Sequence, residues 1–186
     1  MTTREPLAAL LVGITGSGKT TLAQALADRG MIRLSVDEEV HRLHGRYGID
    51  YPEHTYFERE RPVVDAVRRR LTEHLAAGDD VVLDHGLWLQ VDRDAWKKLV
   101  EAAGGRWRLV YLPVDRDELL RRLADRNRRE DANALTVTAS ALDDFFARFE
   151  PPAPHEQAII HTGDPAQTCA AVLATEQERG GRPGVR

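Results

Sequence analysis

Leu7-Ala8-Ala9-Leu10-Leu11-Val12-Gly13-Ile14-Thr15-Gly16-Ser17-Gly18-Lys19-Thr20-Thr21 is the stretch on which the reading of this chain turns. Residues 13–20 satisfy the phosphate-loop pattern G-x-x-x-x-G-K-[ST] at every required position. The apolar run Leu7–Val12 reads as a buried strand, and Thr21–Arg29, with Leu22, Ala23, Ala25 and Leu26, reads as the helix that follows. Between them the glycines let backbone N–H groups converge on an anion, because no side chain blocks the approach. The helix N-terminus adds its partial positive charge. The candidate nucleotide contacts are therefore Gly13, Thr15, Gly16, Ser17, Gly18, Lys19, Thr20 and Thr21. Lys19 reaches for the β- and γ-phosphates, and the Thr20 hydroxyl is a ligand for Mg²⁺. The chain has only three lysines, Lys19, Lys97 and Lys98, and is otherwise basic through arginine. Lysine nevertheless stands where a compact point charge is needed and a planar guanidinium would not serve.

Outward from this stretch, strands and helices alternate. Met31–Leu34, Val81–Asp84, Leu109–Leu112 and Ala158–Ile160 read as further short strands. Helical patterns lie between them: one opening with a capping box at Ser35-Val36-Asp37-Glu38, then Glu53 to Leu75, Asp92 to Ala103, Asp115 to about Arg129, Thr136 to Phe149, and Ala166 to about Glu178. Five apolar strands separated by helices predict an α/β protein with a parallel sheet covered on both faces. In such sheets ligands bind beyond the carboxyl ends of the strands. That rule singles out the phosphate loop, Asp37, Asp84, Pro113 to Asp115 and His161 to Asp164.

Asp84 ends an apolar strand, as a carboxylate that faces Mg²⁺ opposite Thr20 must; capping the next turn is the plainer alternative. The residue after it is His85, where motor-type ATPases place a glutamate. Asp37 has two explanations as well. It is a first-turn carboxylate favoured by the helix dipole, and it stands where a general base for an acceptor hydroxyl belongs. On the helix from Asp115, Arg122, Arg126 and Arg129 share one stripe beside Leu119 and Leu123, at 100° per residue. They are either a solvated face paired with Glu118 and Asp125, or arginines that steady a transferring phosphoryl group. Tyr47, Tyr51, His54, Tyr56 and Phe57 gather in the irregular segment after Asp37, either anchoring it or lining an acceptor pocket.

Composition bounds the rest. A chain of 186 residues with 42% hydrophobic and 30% charged residues is an ordinary globular domain, and its net charge of −4 gives no general pull toward nucleic acid or an anionic membrane. The single cysteine, Cys169, excludes an internal disulfide and reads as core filler on a helix. The opening apolar run is too short for a signal peptide or membrane span, so the expected location is cytoplasmic. The expected organisation is one domain over residues 1–179 and a flexible tail over 180–186.

Taken together, Gly13–Thr20, Leu34-Ser35-Val36-Asp37, Val81–Asp84 and the run Leu119-Leu120-Arg121-Arg122-Leu123-Ala124-Asp125-Arg126-Asn127 resemble the small P-loop kinases grouped around zeta toxin, chloramphenicol phosphotransferase and the kinase domain of polynucleotide kinase. Arg148-Phe149-Glu150-Pro151-Pro152 is similar to the same segment in AAA-type ATP-binding members of that group. The resemblance implies a three-layer P-loop NTPase fold, a sheet of order 2-3-1-4-5, a small helical lid, and ATP- and Mg²⁺-dependent phosphorylation of a hydroxyl. It implies Asp37 as base, and Arg122 and Arg126 as lid arginines. The expected acceptor is a small hydroxylated molecule such as an antibiotic, sugar or nucleoside. A polynucleotide 5′-hydroxyl kinase ought to show a basic groove, which the acidic balance disfavours. A switch module without transfer chemistry is the third reading, and the chain lacks the N-K-x-D motif of a GTPase.

Overall fold

A computed structural model of the chain describes residues 4–47, 49–127 and 139–174, leaving aside the side chains of residues 53, 126, 127 and 139–141. The predicted segments 130–135 and 180–186 lie outside the described residues, as does the Arg126 side chain.

The elements run β1 (Leu7–Val12), α1 (Lys19–Ala27), β2 (Ile32–Ser35), α2 (Val36–His44), α3 (Tyr56–Ala77), β3 (Val81–Asp84), α4 (Gln90–Ala102), β4 (Arg106–Tyr111), α5 (Arg116–Asn127), α6 (Ala139–Arg148), β5 (Ile159–Ile160) and α7 (Pro165–Leu173). The five strands form one parallel sheet of order β2-β3-β1-β4-β5. The phosphate loop therefore leaves the central strand. Every residue of β1 is buried, because alternate side chains enter opposite layers. Ala8, Leu10 and Val12 pack with Val40, Val63, Val67, Leu71, Trp96 and Val100 from α2, α3 and α4. Leu7, Ala9 and Leu11 pack with Leu22, Leu26, Cys169 and Val172 from α1 and α7. Cys169 is thus core filler on a helix. A third cluster, Ile14, Leu119, Leu123 and Leu142, seats α5 and α6 over the phosphate loop. Among the described residues, no helix is long and apolar enough to cross a membrane.

Strand β4 starts three residues before the apolar run that marks it, because Arg106 and Arg108 conceal its alternation. Arg106 is level with Leu7 of β1. Buried Arg108 donates to the carbonyls of Ala171, Val172 and Ala174, closing the C-terminal end of α7 where a cation is favoured. A second buried cluster holds α4. Arg93 and Lys97 both donate to the carboxylate of Glu156, and Arg93 also bonds the carbonyls of Leu87, Trp88 and Glu150. These cations hold Glu156 down at about 2, with Arg93 contributing most. The chain segments on either side of α4 are pinned to it by this one ion cluster.

Candidate active site

The phosphate loop has little room for side chains. A Cβ on Gly13 would stand 2.5 Å from Ser17 Oγ and 3.2 Å from the Leu112 carbonyl oxygen. Gly16 has φ +86°, and a Cβ there would meet Leu119 Cδ1 at 2.9 Å. Gly18, at φ 101°, begins α1 without a side-chain cap, which leaves the first-turn N–H groups of Lys19, Thr20 and Thr21 facing outward from the helix. Lys19 Nζ donates across the loop to the carbonyls of Gly13 (2.9 Å) and Ile14 (3.0 Å). Ser17 Oγ is buried without a hydrogen-bond partner among the described residues. An orphaned buried oxygen is costly unless a ligand satisfies it. A phosphate oxygen is a partner of the kind such a hydroxyl takes.

Beyond the carboxyl ends of β2 and β3, four side chains from three segments converge. Ser35 caps α2 by accepting from the Glu38 N–H, so half of the expected capping box forms; the Glu38 carboxylate is bonded to Arg33 instead. Asp37 stands in the first turn of α2. Tyr56, at the start of α3, donates its hydroxyl to Asp37 Oδ1 (3.0 Å) and lies 3.3 Å from Glu60 Oε1. Ligand atoms of Asp37, Glu60 and His85 all lie within 4.8 Å of one another. The turn after His85 touches the phosphate loop, since a Cβ on Gly86 would sit 3.4 Å from the Gly13 carbonyl oxygen. Asp37 and the loop are therefore brought to one place.

The electrostatics of this group follow from its crowding. Burial, reinforced by Asp37, pushes Glu60 up to about 7. Burial and the two carboxylates raise the Tyr56 phenol, so it remains a donor. Burial and Lys19 lower His85, while Asp37, Asp92 and Asp84 pull it the other way. Tyr47 meets the rings of Tyr51 and Tyr56 edge to face, and Tyr51 is buried, which anchors the segment; Tyr56 turns its hydroxyl to Asp37.

Asp84 is buried and bound to a residue that sequence reading did not single out. Arg33, in β2, donates from Nη2 (2.6 Å) and Nε (3.1 Å) to Asp84 Oδ2, and from Nη2 to Glu38 Oε1. The available signal was an arginine set between Ile32 and Leu34 in an apolar strand. Asp84 Oδ1 takes no hydrogen bond from the described residues, and neither does the exposed Thr20 hydroxyl. A hydroxyl and a carboxylate oxygen are each hard donors of the kind Mg²⁺ takes.

Arg122 is paired with Glu118 and also reaches the phosphate loop. Its Nε donates to Glu118 Oε1 (2.6 Å), and its Nη1 reaches the Ser17 carbonyl of the loop at 3.4 Å. It lines a cleft of about 430 Å³ together with Ser17, Gly18, Thr21, Glu118 and His161.

These features define the class. The protein is a P-loop α/β protein of the kinase-type fold, with a phosphate loop on the central strand and carboxylates beyond the ends of β3 and β2 on one side of it. Residues 9–152 match the family model described as an AAA domain (AAA_33), and the chain belongs to that family. No curated protein matches the chain significantly. Solved structures share the fold. A protein of Chloroflexus aurantiacus is 18% identical, with 91% of this chain and 97% of that one covered and a TM-score of 0.73. A gluconokinase from Sinorhizobium meliloti is 21% identical over 96% of this chain and 99% of its own, with a TM-score of 0.62. A shikimate kinase from Acinetobacter baumannii, solved with shikimate, is 21% identical over 97% of each chain, with a TM-score of 0.58.

Proposed function

We propose that the chain is an ATP-dependent phosphotransferase that passes the γ-phosphoryl group to a hydroxyl of a small molecule. The observation that carries this reading is the approach of Asp37 to the phosphate loop through His85 and Gly86. A carboxylate at that position accepts the proton of an acceptor hydroxyl as its oxygen bonds to phosphorus and the bond to the β-phosphate oxygen breaks. Tyr56 holds one oxygen of Asp37 and so orients the other. Lys19 and the first-turn N–H groups of α1 grip the phosphates, and Arg122 approaches from α5 to steady charge that spreads in the transition state. Thr20 and Asp84 Oδ1 would hold Mg²⁺, which supplies charge neutralisation across the β- and γ-phosphates when bound.

The acceptor end is acidic. The charged groups that act on Glu60 are Asp37 and Asp92, and those that act on Tyr56 are Asp37 and Glu60. An uncharged or basic hydroxyl compound suits such a surface better than an anion, and a polynucleotide end suits it poorly. The test is an ATP-consumption screen against a library of hydroxyl compounds. It should include sugar acids and a 5′-hydroxyl oligonucleotide, with Lys19→Ala as the control. Turnover with a neutral alcohol, absent in the control, is the expected result; turnover with the oligonucleotide alone would overturn the acceptor class.

A further inference from the structure

Beside the candidate base, a row of oxygen atoms needs more protons than the tyrosine at its middle can supply. The Tyr56 oxygen is 3.0 Å from Asp37 Oδ1 and 3.3 Å from Glu60 Oε1. A phenol has one proton, and an ionised carboxylate only accepts. With both carboxyls ionised, one of these contacts sets a phenol lone pair against a carboxylate oxygen. For both contacts to be hydrogen bonds, the second proton must come from a carboxyl. The surroundings decide which one. Asp37 is exposed and lies in the first turn of α2, where the helix dipole favours an anion. Glu60 is half-buried and makes no ion pair among the described residues. The titratable groups that face it are Asp37 from α2, Tyr56 from its own helix, Tyr51 just before that helix, His85 after β3, and Asp92 from α4. None brings a positive charge to it, since burial holds the His85 ring toward its neutral form. Burial and the Asp37 charge act on Glu60 in the same sense, raising it to about 7.

We propose that Glu60 is a positioning residue that works as a neutral acid: it donates its proton to the Tyr56 oxygen, which commits the Tyr56 proton to Asp37 and leaves the other Asp37 oxygen to meet the acceptor hydroxyl. The part this plays in catalysis rests on Asp37 being the base; the arrangement of protons is a property of the free protein. A carboxylic acid kept neutral by its site can donate a hydrogen bond that an ionised one cannot. Once Glu60 ionises, two carboxylates compete for one phenol proton, and Asp37 loses its holder. Asp37 is therefore held in place only while Glu60 keeps its proton. Glu60→Gln retains a donor at every pH, because its amide N–H takes the place of the acid O–H.

The experiment reads the protons directly and needs neither nucleotide nor acceptor. Carbon-13 NMR follows the carboxyl carbons of Asp37 and Glu60 and the hydroxyl-bearing ring carbon of Tyr56 from about pH 5 to 9. Asp37→Asn, Glu60→Gln and Tyr56→Phe assign the signals, and Tm reports folding. At about pH 6 a protonated Glu60 beside an ionised Asp37 is expected, with the Glu60 step centred at about 7. The Asp37 and Tyr56 carbons should move with that step, and in Glu60→Gln both should stay still over the same range. Glu60→Gln is close in shape to the wild type, so this arm decides the matter even where Tyr56→Phe does not fold. An ionised Glu60 at about pH 6 would overturn the proposal. So would an Asp37 carbon that ignores the Glu60 step, or one that still moves there in Glu60→Gln. Any of these leaves the kinase reading intact, and failure of the acceptor screen would leave these signals as they are.

Discussion

At position 37 two explanations of one carboxylate are separated by a single substitution. If Asp37 is the base, Asp37→Asn keeps its shape and leaves MgATP affinity nearly unchanged, but removes the proton acceptor and lowers kcat by about 10²–10⁴. If it serves only the helix dipole, the variant loses about 1 kcal/mol or less of stability and keeps its turnover. Asp84→Asn is expected to differ, raising the Mg²⁺ concentration for half-maximal rate because an amide is a poorer partner for a hard cation. Measuring turnover, ATP affinity and Tm on the same two variants decides both assignments. Glu60 yields a pH signature. Its pKa in the folded protein, about 7, lies above the usual carboxylate value, so between the two the folded state holds more protons than the unfolded chain. Stability from this group is therefore present at low pH and is lost as pH rises through about 7. Glu60→Gln should flatten that slope and be more stable than wild type at pH 8, by about 1–3 kcal/mol. A wild-type Tm that falls no faster than the variant's between pH 5 and 8 would refute the assignment.

The contact between α5 and the phosphate loop joins local geometry to binding. Leu119 and Leu123 fill the space where a side chain at Gly16 would stand, and the next turn of the same helix carries Arg122 to the Ser17 carbonyl. Gly16→Ala therefore meets two obstacles. A positive φ costs a residue with a Cβ about 1–2 kcal/mol, and the new methyl displaces the two leucines. A lower Tm is expected, with nucleotide affinity reduced more than the small change in volume alone would suggest. If affinity survives while Tm falls, α5 does not position the site. The helix N-terminus works in the opposite sense. Gly18 leaves the first turn of α1 without a side-chain cap, which is unfavourable for an isolated helix and useful where an anion is to dock.

For the molecule as a whole, ligand binding should appear as stability. A protein that binds MgATP only when folded gains about 2.7 kcal/mol at a hundred times Kd, a rise in Tm of about 5–10 °C for a chain of this size. Lys19→Ala should abolish that rise. Neither other lysine is placed to replace it, since Lys97 is bound to Glu156 and stacked over Trp107, and Lys98 follows it on α4. Wild-type ATP affinity in Lys19→Ala would remove the phosphate-loop assignment. The opposite layer depends on Glu156. Its carboxyl is held at about 2, so its stabilising effect is complete above the ordinary carboxylate range and is lost as pH falls toward 2.

What the sequence alone determined is whatever depends on neighbouring residues. The phosphate loop needs only a strand, a run of backbone with glycines at set positions and a helix start, so Gly13–Thr20 was readable without the fold. The same holds for Asp84 at the end of its strand, for the parallel sheet, and for Asp37 beyond β2. Tertiary structure decided which side chains meet. Tyr56 and Glu60 are 19 and 23 residues from Asp37, and His85 is 48 away, and no local pattern joins them. They converge because α3 crosses the sheet beside α2 and turns one face of its first two turns toward the strand ends. Arg33 found Asp84 for a similar reason: the parallel register sets Arg33 level with Val82, and its long side chain reaches the aspartate two residues further along the next strand. His161 meets the hydroxyl of a threonine seven residues on, one turn into α7. Periodicity places a residue on a helix or strand, while the direction of a proton depends on packing.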